Sequence, residues 1–459
     1  MADVKILQKI IFSGTMQLDS PLSIGSGTEA KDRRNEADIH VLKDKKERPF
    51  IPGTSLAGVL RNWLAEQNRD AADKLFGFIS KNESSKTDVQ SAVAIYDVVL
   101  EDTAIVLRDG VSIDTFTGTG LDGKKYDYEV VERGAKGKFN MVITLREYQE
   151  NKIPGLGKLI EKLADRLYSG IRTGALTSKG FGQVSVPDLV VEYYDFRIPG
   201  DVKNWLLKKP ADKKYKAKAI LEDDVNTFAV DGEFALATSL MVRDQNARYK
   251  DAVKKINVTP VMKSQGDYLI PGTSLKGVLR HQAEKILTVL NKPISWLDDL
   301  MGFSNEGKKL AGQKGKKKSR FIVNEVYFKE GIKEKEQTRN RIDRFTGATV
   351  DSALFANKAL WQNQSDSAAL KIHYEIAECK EWEAGLALFL LKDLWTGKIA
   401  LGGEKSIGRG YLKGVYATVS YQGKKYVIGS NGKVAETDRN NLEKLAAALI
   451  CKEMEAAKL

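Results

Sequence analysis

The chain has 459 residues, more than one hydrophobic core usually serves, so two domains are expected. Hydrophobic residues at 42% and charged residues at 29% are ordinary for a soluble globular chain; no apolar run approaches a membrane span, and the opening MADVKILQKIIFSG lacks the apolar region and cleavage site of a secretory signal. A cytosolic chain with no membrane partner is implied, the two cysteines exclude a disulfide scaffold or a cysteine zinc site, and the net charge of +12 favours a polyanion, nucleic acid ahead of a lipid surface.

In chain order, alternating apolar and polar residues in KIIFSGTMQLDSPLSI (9–24) predict a first strand. A helix follows in PFIPGTSLAGVLRNWL (49–64): Pro52 and Gly53 stop the preceding chain, Thr54 or Ser55 can cap, and Leu56, Val59, Leu60, Trp63 and Leu64 share a face. AVAIYDVVLE (92–101) and KFNMVITLRE (138–147) read as strands, GKLIEKLADRLYSGI (157–171) as a helix and FGQVSVPDLVVEYY (181–194) as a closing strand. The order is β-α-β-β-α-β, a ferredoxin-like pattern. The lysine-rich, proline-punctuated stretch 198–226 reads as a linker between a first domain at 1–197 and a second at 227–459.

The second domain repeats the first. YLIPGTSLKGVLRHQA (268–283) matches the helix motif, with Leu275, Val278, Leu279, Ala283 and Ile286 on the corresponding stripe. DKLFGF (73–78) recurs as DDLMGF (298–303), IDTFTGTG (113–120) as IDRFTGAT (342–349), and LTSKGFGQ (176–183) as EKSIGRGY (404–411), in unchanged order. EFALATSLMV, RFIVNEVYF, ALKIHYEI, AGLALFLLKDLW and GRGYLKGVYATV supply the remaining elements, and DRNNLEKLAAALICKEMEAAKL a helix-like tail. The fold class is therefore α+β, two tandem ferredoxin-like domains of the RNA-recognition type, each with a projecting thumb hairpin.

Several repeated residues suit a polyanion. Ser55 and Ser274 lie at helix N-termini, where unpaired N–H groups attract phosphate, with Lys276 following and Arg61 and Arg280 at equivalent positions further along; the same hydroxyls and arginines serve equally as caps and solvated charges. Ser178, Lys179, Lys405, Ser406 and Arg409 are interleaved with glycines that permit close backbone approach, or that simply make a turn. Phe116 and Phe345, the latter among Arg339, Arg341 and Arg344, can wedge against a base or lie buried at a hairpin root. The run KKLAGQKGKKKSR (308–320) is a solvated loop or a source of nonspecific attraction. The histidines His40, His281 and His373 form no catalytic arrangement, which leaves carboxylates: Asp32, Glu36, Asp38 and Asp44 precede the first helix in a polar segment able to reach a ligand, hold a cation or orient a ribose hydroxyl.

With IPGTSLKGVLR, IDRFTG and SIGRGY in the same order in both copies, the sequence resembles the RAMP superfamily of CRISPR effector complexes, and within it a fused pair of type III backbone subunits. The resemblance implies subunits stacked along a guide RNA (crRNA) beside other effector subunits, with thumb hairpins interrupting the guide–target duplex at regular intervals. It implies metal-dependent cleavage of target RNA, with Mg2+ the expected ion, by an Asp that lies six residues before a second Asp; Asp38 and Asp44 match, making Asp38 the expected catalytic and metal-binding residue. In the second copy Asn257 and Lys263 take these positions, which implies weak or absent cleavage there unless Asp251, the twin of Asp32, reaches in. A pure scaffold, or a metal-independent ribonuclease acting through His40, are the competing expectations.

Overall fold

The computed structural model describes residues 5–29, 37–79, 88–114, 117–147, 153–220, 226–244, 246–247, 249–250, 257–303, 317–351, 353–363 and 367–451. They fall into two compact units: unit 1 spans 1–108, 127–177 and 181–222, and unit 2 spans 109–126, 178–180 and 223–459. No helix among the described residues is long and apolar enough to cross a membrane.

Unit 1 runs β1 (Ile6–Leu18), β2 (Ile39–Val41), α1 (Gly53–Gln67), β3 (Val93–Ile95), β4 (Ile105–Ile113), β5 (Gly120–Val131), β6 (Lys136–Arg146), α2 (Leu156–Ser169), β7 (Val190–Asp195), α3 (Pro199–Leu206) and β8 (Lys213–Lys216). The distal residues of the β4–β5 hairpin, 109–126, group with unit 2. Period-two alternation puts Ile10, Phe12, Met16 and Leu18 of β1 on one buried face, matched across the antiparallel ladder by Phe139, Met141 and Ile143 of β6. Against them α1 lays Leu56, Leu60 and Leu64, and α2 lays Ile160, Leu163 and Leu167, all at most 1% exposed. Burying that many side chains, at about 1.5–3 kcal/mol each, is the main source of the unit's cohesion. The sheet order is β3-β6-β1-β7-β8, so the four strands of the β-α-β-β-α-β core stand in the order 2-3-1-4.

Unit 2 repeats the plan with β9 (Phe228–Leu236), β10 (Asn257–Thr259), α4 (Gly272–Val289), β11 (Phe321–Val323), β12 (Ile332–Arg339), β13 (Phe355–Gln362), β14 (Leu370–Ile376), α5 (Glu381–Trp395), β15 (Leu412–Tyr421), β16 (Lys424–Ile428) and α6 (Glu436–Cys451). Its sheet, β11-β14-β9-β15-β16, has the same central order. On α4 the buried stripe is Leu275, Leu279, Ala283 and Leu287, with Ile286 only partly covered. The tail helix α6 packs on α5, where the Leu445 carbonyl lies 2.4 Å from a Cβ placed on Gly385, so that helix pair needs glycine at this position.

Two sequence readings change. Residues expected as a linker form α3 and β8, and β8 pairs antiparallel with β7, with Val191 opposite Tyr215, so 199–216 belongs to unit 1. A lysine-rich edge strand looks like a linker in sequence because its lysines face water. Thr54 and Ser55 do not cap α1, because the N-cap is Pro52. Asp97 instead accepts the Gly53 N–H at 2.8 Å, setting a carboxylate from a distant loop on the positive end of the helix.

The open face of the second sheet carries His373 on β14. Its Nδ1 lies 3.2 Å from Asp231 Oδ1 on β9 and its Nε2 3.6 Å from Glu375 Oε2, while Lys371 is 3.0 Å from Asp231. Burial alone would lower the imidazole pKa, but the two carboxylates outweigh it and raise it to about 9. Its hydrogen bond, with Lys371 assisting, holds the Asp231 carboxyl down to about 2. A raised folded-state pKa stabilises below the unfolded value near 6.5, and the effect fades as pH rises through about 9. We therefore expect His373→Gln to cost about 1–2 kcal/mol in urea unfolding at neutral pH and much less in strongly alkaline buffer; an equal cost in both buffers would show that the ion pair adds nothing.

Candidate functional site

The carboxylates gather at the hairpin root of unit 1. Here β2 runs parallel to β5, with Ile39 opposite Tyr128. The Asp38 N–H donates to the Asp127 carbonyl and the Asp127 N–H to Asp38 Oδ2, both at 2.8 Å, so backbone and side chain together hold Asp38 at the strand's start. The Asp38 side chain is exposed. Two residues on, Glu129 accepts the Val41 N–H at 3.0 Å and lies 3.6 Å from His40 Nδ1. Asp38, Asp127, Glu129 and His40 thus share one rim.

Asp44, expected as the partner of Asp38, has other work. Its carboxylate accepts the N–H groups of Lys46 and Arg48 and is gripped by the Arg48 guanidinium through Nε at 3.0 Å and Nη2 at 2.8 Å. The backbone hydrogen bond from Arg48, helped by its guanidinium, holds the acid below the usual carboxylate range. Asp44 shapes a tight turn. Asp32, Glu36, Phe116, Asp251 and most of the lysine run, 308–316, lie outside the described residues. Among the described residues no group of three or more His, Cys, Asp or Glu side chains is disposed to hold a metal ion by itself.

The repeated helix motif is chiefly architectural. A Cβ on Gly53 would meet the Ile95 carbonyl oxygen at 2.1 Å, and one on Gly272 the Lys179 carbonyl oxygen at 2.0 Å, so glycine is required twice. Arg61 pairs with Asp73 at 2.9 Å, and Arg280 with Asp298 at 3.3 Å and the Gly302 carbonyl at 2.9 Å. In both units, then, the motif arginine braces the short helix that follows, formed by Arg69–Phe76 or Trp296–Met301. Ser55 and Ser274 lie in the first helical turn, half-buried and exposed.

Lys276 is 6% exposed. Its Nζ donates to Ser178 Oγ at 2.9 Å, Ser319 Oγ at 2.7 Å and the Phe321 carbonyl at 2.8 Å, which occupies all three ammonium hydrogens. Burial, with Lys179 and Arg280 nearby, lowers its pKa to about 7. Lys179 is itself pulled down by burial. Lys276 and Ser178 are thus engaged with one another, contrary to the expectation that both present themselves to phosphate.

The glycine turns have matching backbones. Gly174, Gly180 and Gly182 have φ of 82°, 90° and 75°, their twins Gly402, Gly408 and Gly410 have 76°, 84° and 87°, and Leu176 and Glu404 share left-handed values of 56° and 58°. A Cβ on Gly182 or Gly410 would overlap a backbone oxygen at 1.8 or 1.9 Å. The turn accounts for the repeated glycines; function must come from the side chains. Lys405 and Ser406 are exposed on the 3-10 turn Lys405–Ile407. Partial burial and then the charge of Lys285 pull the Lys405 pKa down, and burial, followed by the charges of Lys285 and Lys405 against that of Glu284, depresses that of His281. Arg409, 4% exposed, is turned inward to Glu404 at 2.9 Å, Ser239 Oγ at 3.1 Å and Gln337.

At the hairpin tips a feature invisible to residue counting appears. Asp343 Oδ1 accepts from the N–H groups of Phe345 and Thr346 and the Thr346 hydroxyl, and Asp114 Oδ1 accepts from the N–H and hydroxyl of Thr117. Asp343 folds its tip into an Asx turn closed by Gly347 at φ 70°. In unit 2 the turn presents Phe345, 99% exposed, directly after the exposed Arg344, with Arg341 also exposed. The recurrence of IDxFTG was the signal for these two acids.

A family model described as the RAMP superfamily matches residues 15–185 and 254–413, well over half the chain, once in each repeat. The chain belongs to the RAMP superfamily. Two matches agree with a duplicated, fused RAMP protein, a family of CRISPR-associated RNA-binding subunits. No curated protein matches it.

Burial sorts the cations. Lys276→Glu is expected to cost about 3 kcal/mol or more in urea unfolding, because it opposes a carboxylate to three acceptors. Lys405→Glu, on the surface, should change stability by under about 0.5 kcal/mol; equal losses for the two would contradict the assignment.

Proposed function

We propose that the chain is a guide-RNA-binding backbone subunit of a type III CRISPR ribonucleoprotein, with two ferredoxin-like backbone modules fused. We further propose that its first unit cleaves complementary target RNA. The observation that carries the second point is an asymmetry at the hairpin roots. In unit 2, β10 runs parallel to β13 with Asn257 opposite Phe355, Val258 opposite Ala356 and Thr259 opposite Asn357. Matching Val258–Ala356 to Ile39–Tyr128 pairs Asp38 with Asn257, Asp127 with Phe355, Glu129 with Asn357 and His40 with Thr259. Every acid at the root of unit 1 is replaced by a neutral residue in unit 2.

Asp38 suits a role at a phosphodiester: it is exposed, fixed by its backbone and by Oδ2, and close to further carboxylates. A magnesium ion commonly keeps several waters and takes only one or two protein carboxylates, with substrate phosphate completing its shell. The donor set fits that mode and not a dedicated protein cage. Asp38 would hold the ion with the target phosphate, and the ion would neutralise charge at the phosphorus under attack. The residues' own task is to keep the carboxylate at the hairpin root of unit 1; within unit 2, the exposed tip residue Phe345 is suited to open a duplex by stacking. Neighbouring effector subunits, guide RNA and target RNA are the partners in this reading.

In the assembled ribonucleoprotein, Asp38→Ala should remove target cuts at one interval, lowering that rate at least about a hundredfold, while guide binding persists. Chelation of divalent ions should do the same. Full cleavage by Asp38→Ala would return the chain to a pure scaffold, and cleavage that survives chelation would favour a histidine mechanism through His40, which is paired with Glu129.

A further inference from the structure

Where unit 1 gathers carboxylates, unit 2 gathers guanidiniums. Asn357, the counterpart of Glu129, donates through Nδ2 to Glu404 Oε1 at 2.9 Å. Around that one carboxylate stand Arg243, with Nη2 2.9 Å from Oε1; Arg339, with Nη1 3.0 Å from Oε2; and Arg409, with Nε 2.9 Å from Oε2. Three positive groups on one negative leave a local surplus of two charges. Glu404 sits in the left-handed backbone region, φ 58°, which brings its side chain back over the hairpin root. In unit 1 the corresponding turn residue is Leu176, and Phe181 stands where Arg409 does, so that turn offers neither the carboxylate nor the buried guanidinium.

The three arginines are not equivalent. Arg409, 4% exposed, is committed to Glu404, Ser239 and Gln337. Arg243 and Arg339 keep 39% and 29% of their side chains accessible. Arg243 uses Nη2 on Glu404 and Nε on Met241 Sδ, and Arg339 uses Nη2 on Gln337 Oε1, its Nη1 standing 3.0 Å from Glu404 Oε2 as an ion pair. A guanidinium has five N–H donors, so each retains some for a further acceptor. Two guanidiniums oriented by one carboxylate are prearranged for one phosphodiester, whose planar O–P–O edge suits the arginine fork.

We propose that Arg243 and Arg339, oriented by Glu404, form a phosphate clamp for the RNA backbone at the hairpin root of unit 2. The clamp needs no metal ion. Unit 2 therefore grips RNA at the position where unit 1 presents its acids. This inference rests on the chain being an RNA-binding subunit.

The test is the salt dependence of binding of the purified full chain to a fluorescein-labelled single-stranded oligouridylate in the presence of a chelator. Arg243→Met and Arg339→Met should each reduce the slope of log affinity against log salt by about one, and weaken binding roughly five- to tenfold at moderate salt. Arg243→Lys, which keeps the charge and loses the fork, should keep the slope. Arg439→Met, which removes an exposed arginine paired with Glu443 on α6, should leave both quantities unchanged. Parental slopes in Arg243→Met and Arg339→Met would overturn the clamp, as would loss of stability in both with no change in slope, which marks a structural brace. If the parent shows no salt-dependent RNA binding, the functional reading itself fails, and the clamp with it.

Discussion

A short parallel pairing, Asp38–Val41 against the returning hairpin strand in unit 1 and Asn257–Thr259 against its counterpart in unit 2, is the constraint on which the candidate chemistry depends. A two-stranded hairpin has little stability alone. The third strand ties its root to the segment that enters the first helix, so residues far apart in sequence come to share a rim. In unit 1 that rim is acidic and in unit 2 it is cationic. The backbone is the same; the side chains decide the chemistry.

The duplicated scaffold explains how such divergence is tolerated. Each unit buries its apolar residues on one side of a central antiparallel strand, β1 or β9, and the polar residues of the hairpin rim, such as Glu129, Asn357 and Glu404, are not part of that core. Exchanging Glu129 for Asn357, or Leu176 for Glu404, therefore leaves the helices and sheet intact. Repetition has persisted most where geometry demands it: glycines at helix starts that face carbonyl oxygens, glycines in left-handed turns, and an arginine that braces the following helix.

Much of the fold was legible because period and punctuation are local signals. The apolar stripe of α1, the alternation of β6 and the helix α2 emerge within a residue or two of their reading. Within the stretch 198–226, expected as a linker, 199–206 is a helix that begins on proline and 213–216 a lysine-rich edge strand, which looks like a tether until β7 is present to pair with it. The repeated IDxFTG motif marked Phe345 without deciding whether it is exposed or buried, and the polar segment marked Asp38 without its pairing to the hairpin strand. The fate of Lys276, Arg280 and Arg409 was not, nor was the role of Glu404 as the centre of three arginines.

By itself the amino-acid order determined that one plan is written twice, which elements compose it, and that the chain carries a surplus of positive charge. Only the tertiary structure decided which of the repeated polar residues remain available to a ligand. Periodicity depends on neighbours a few residues away, whereas a side chain's availability depends on acceptors delivered by remote segments: Ser319 and Phe321 to Lys276, Ser239 and Gln337 to Arg409. A cation so surrounded is part of the fold and not of a site.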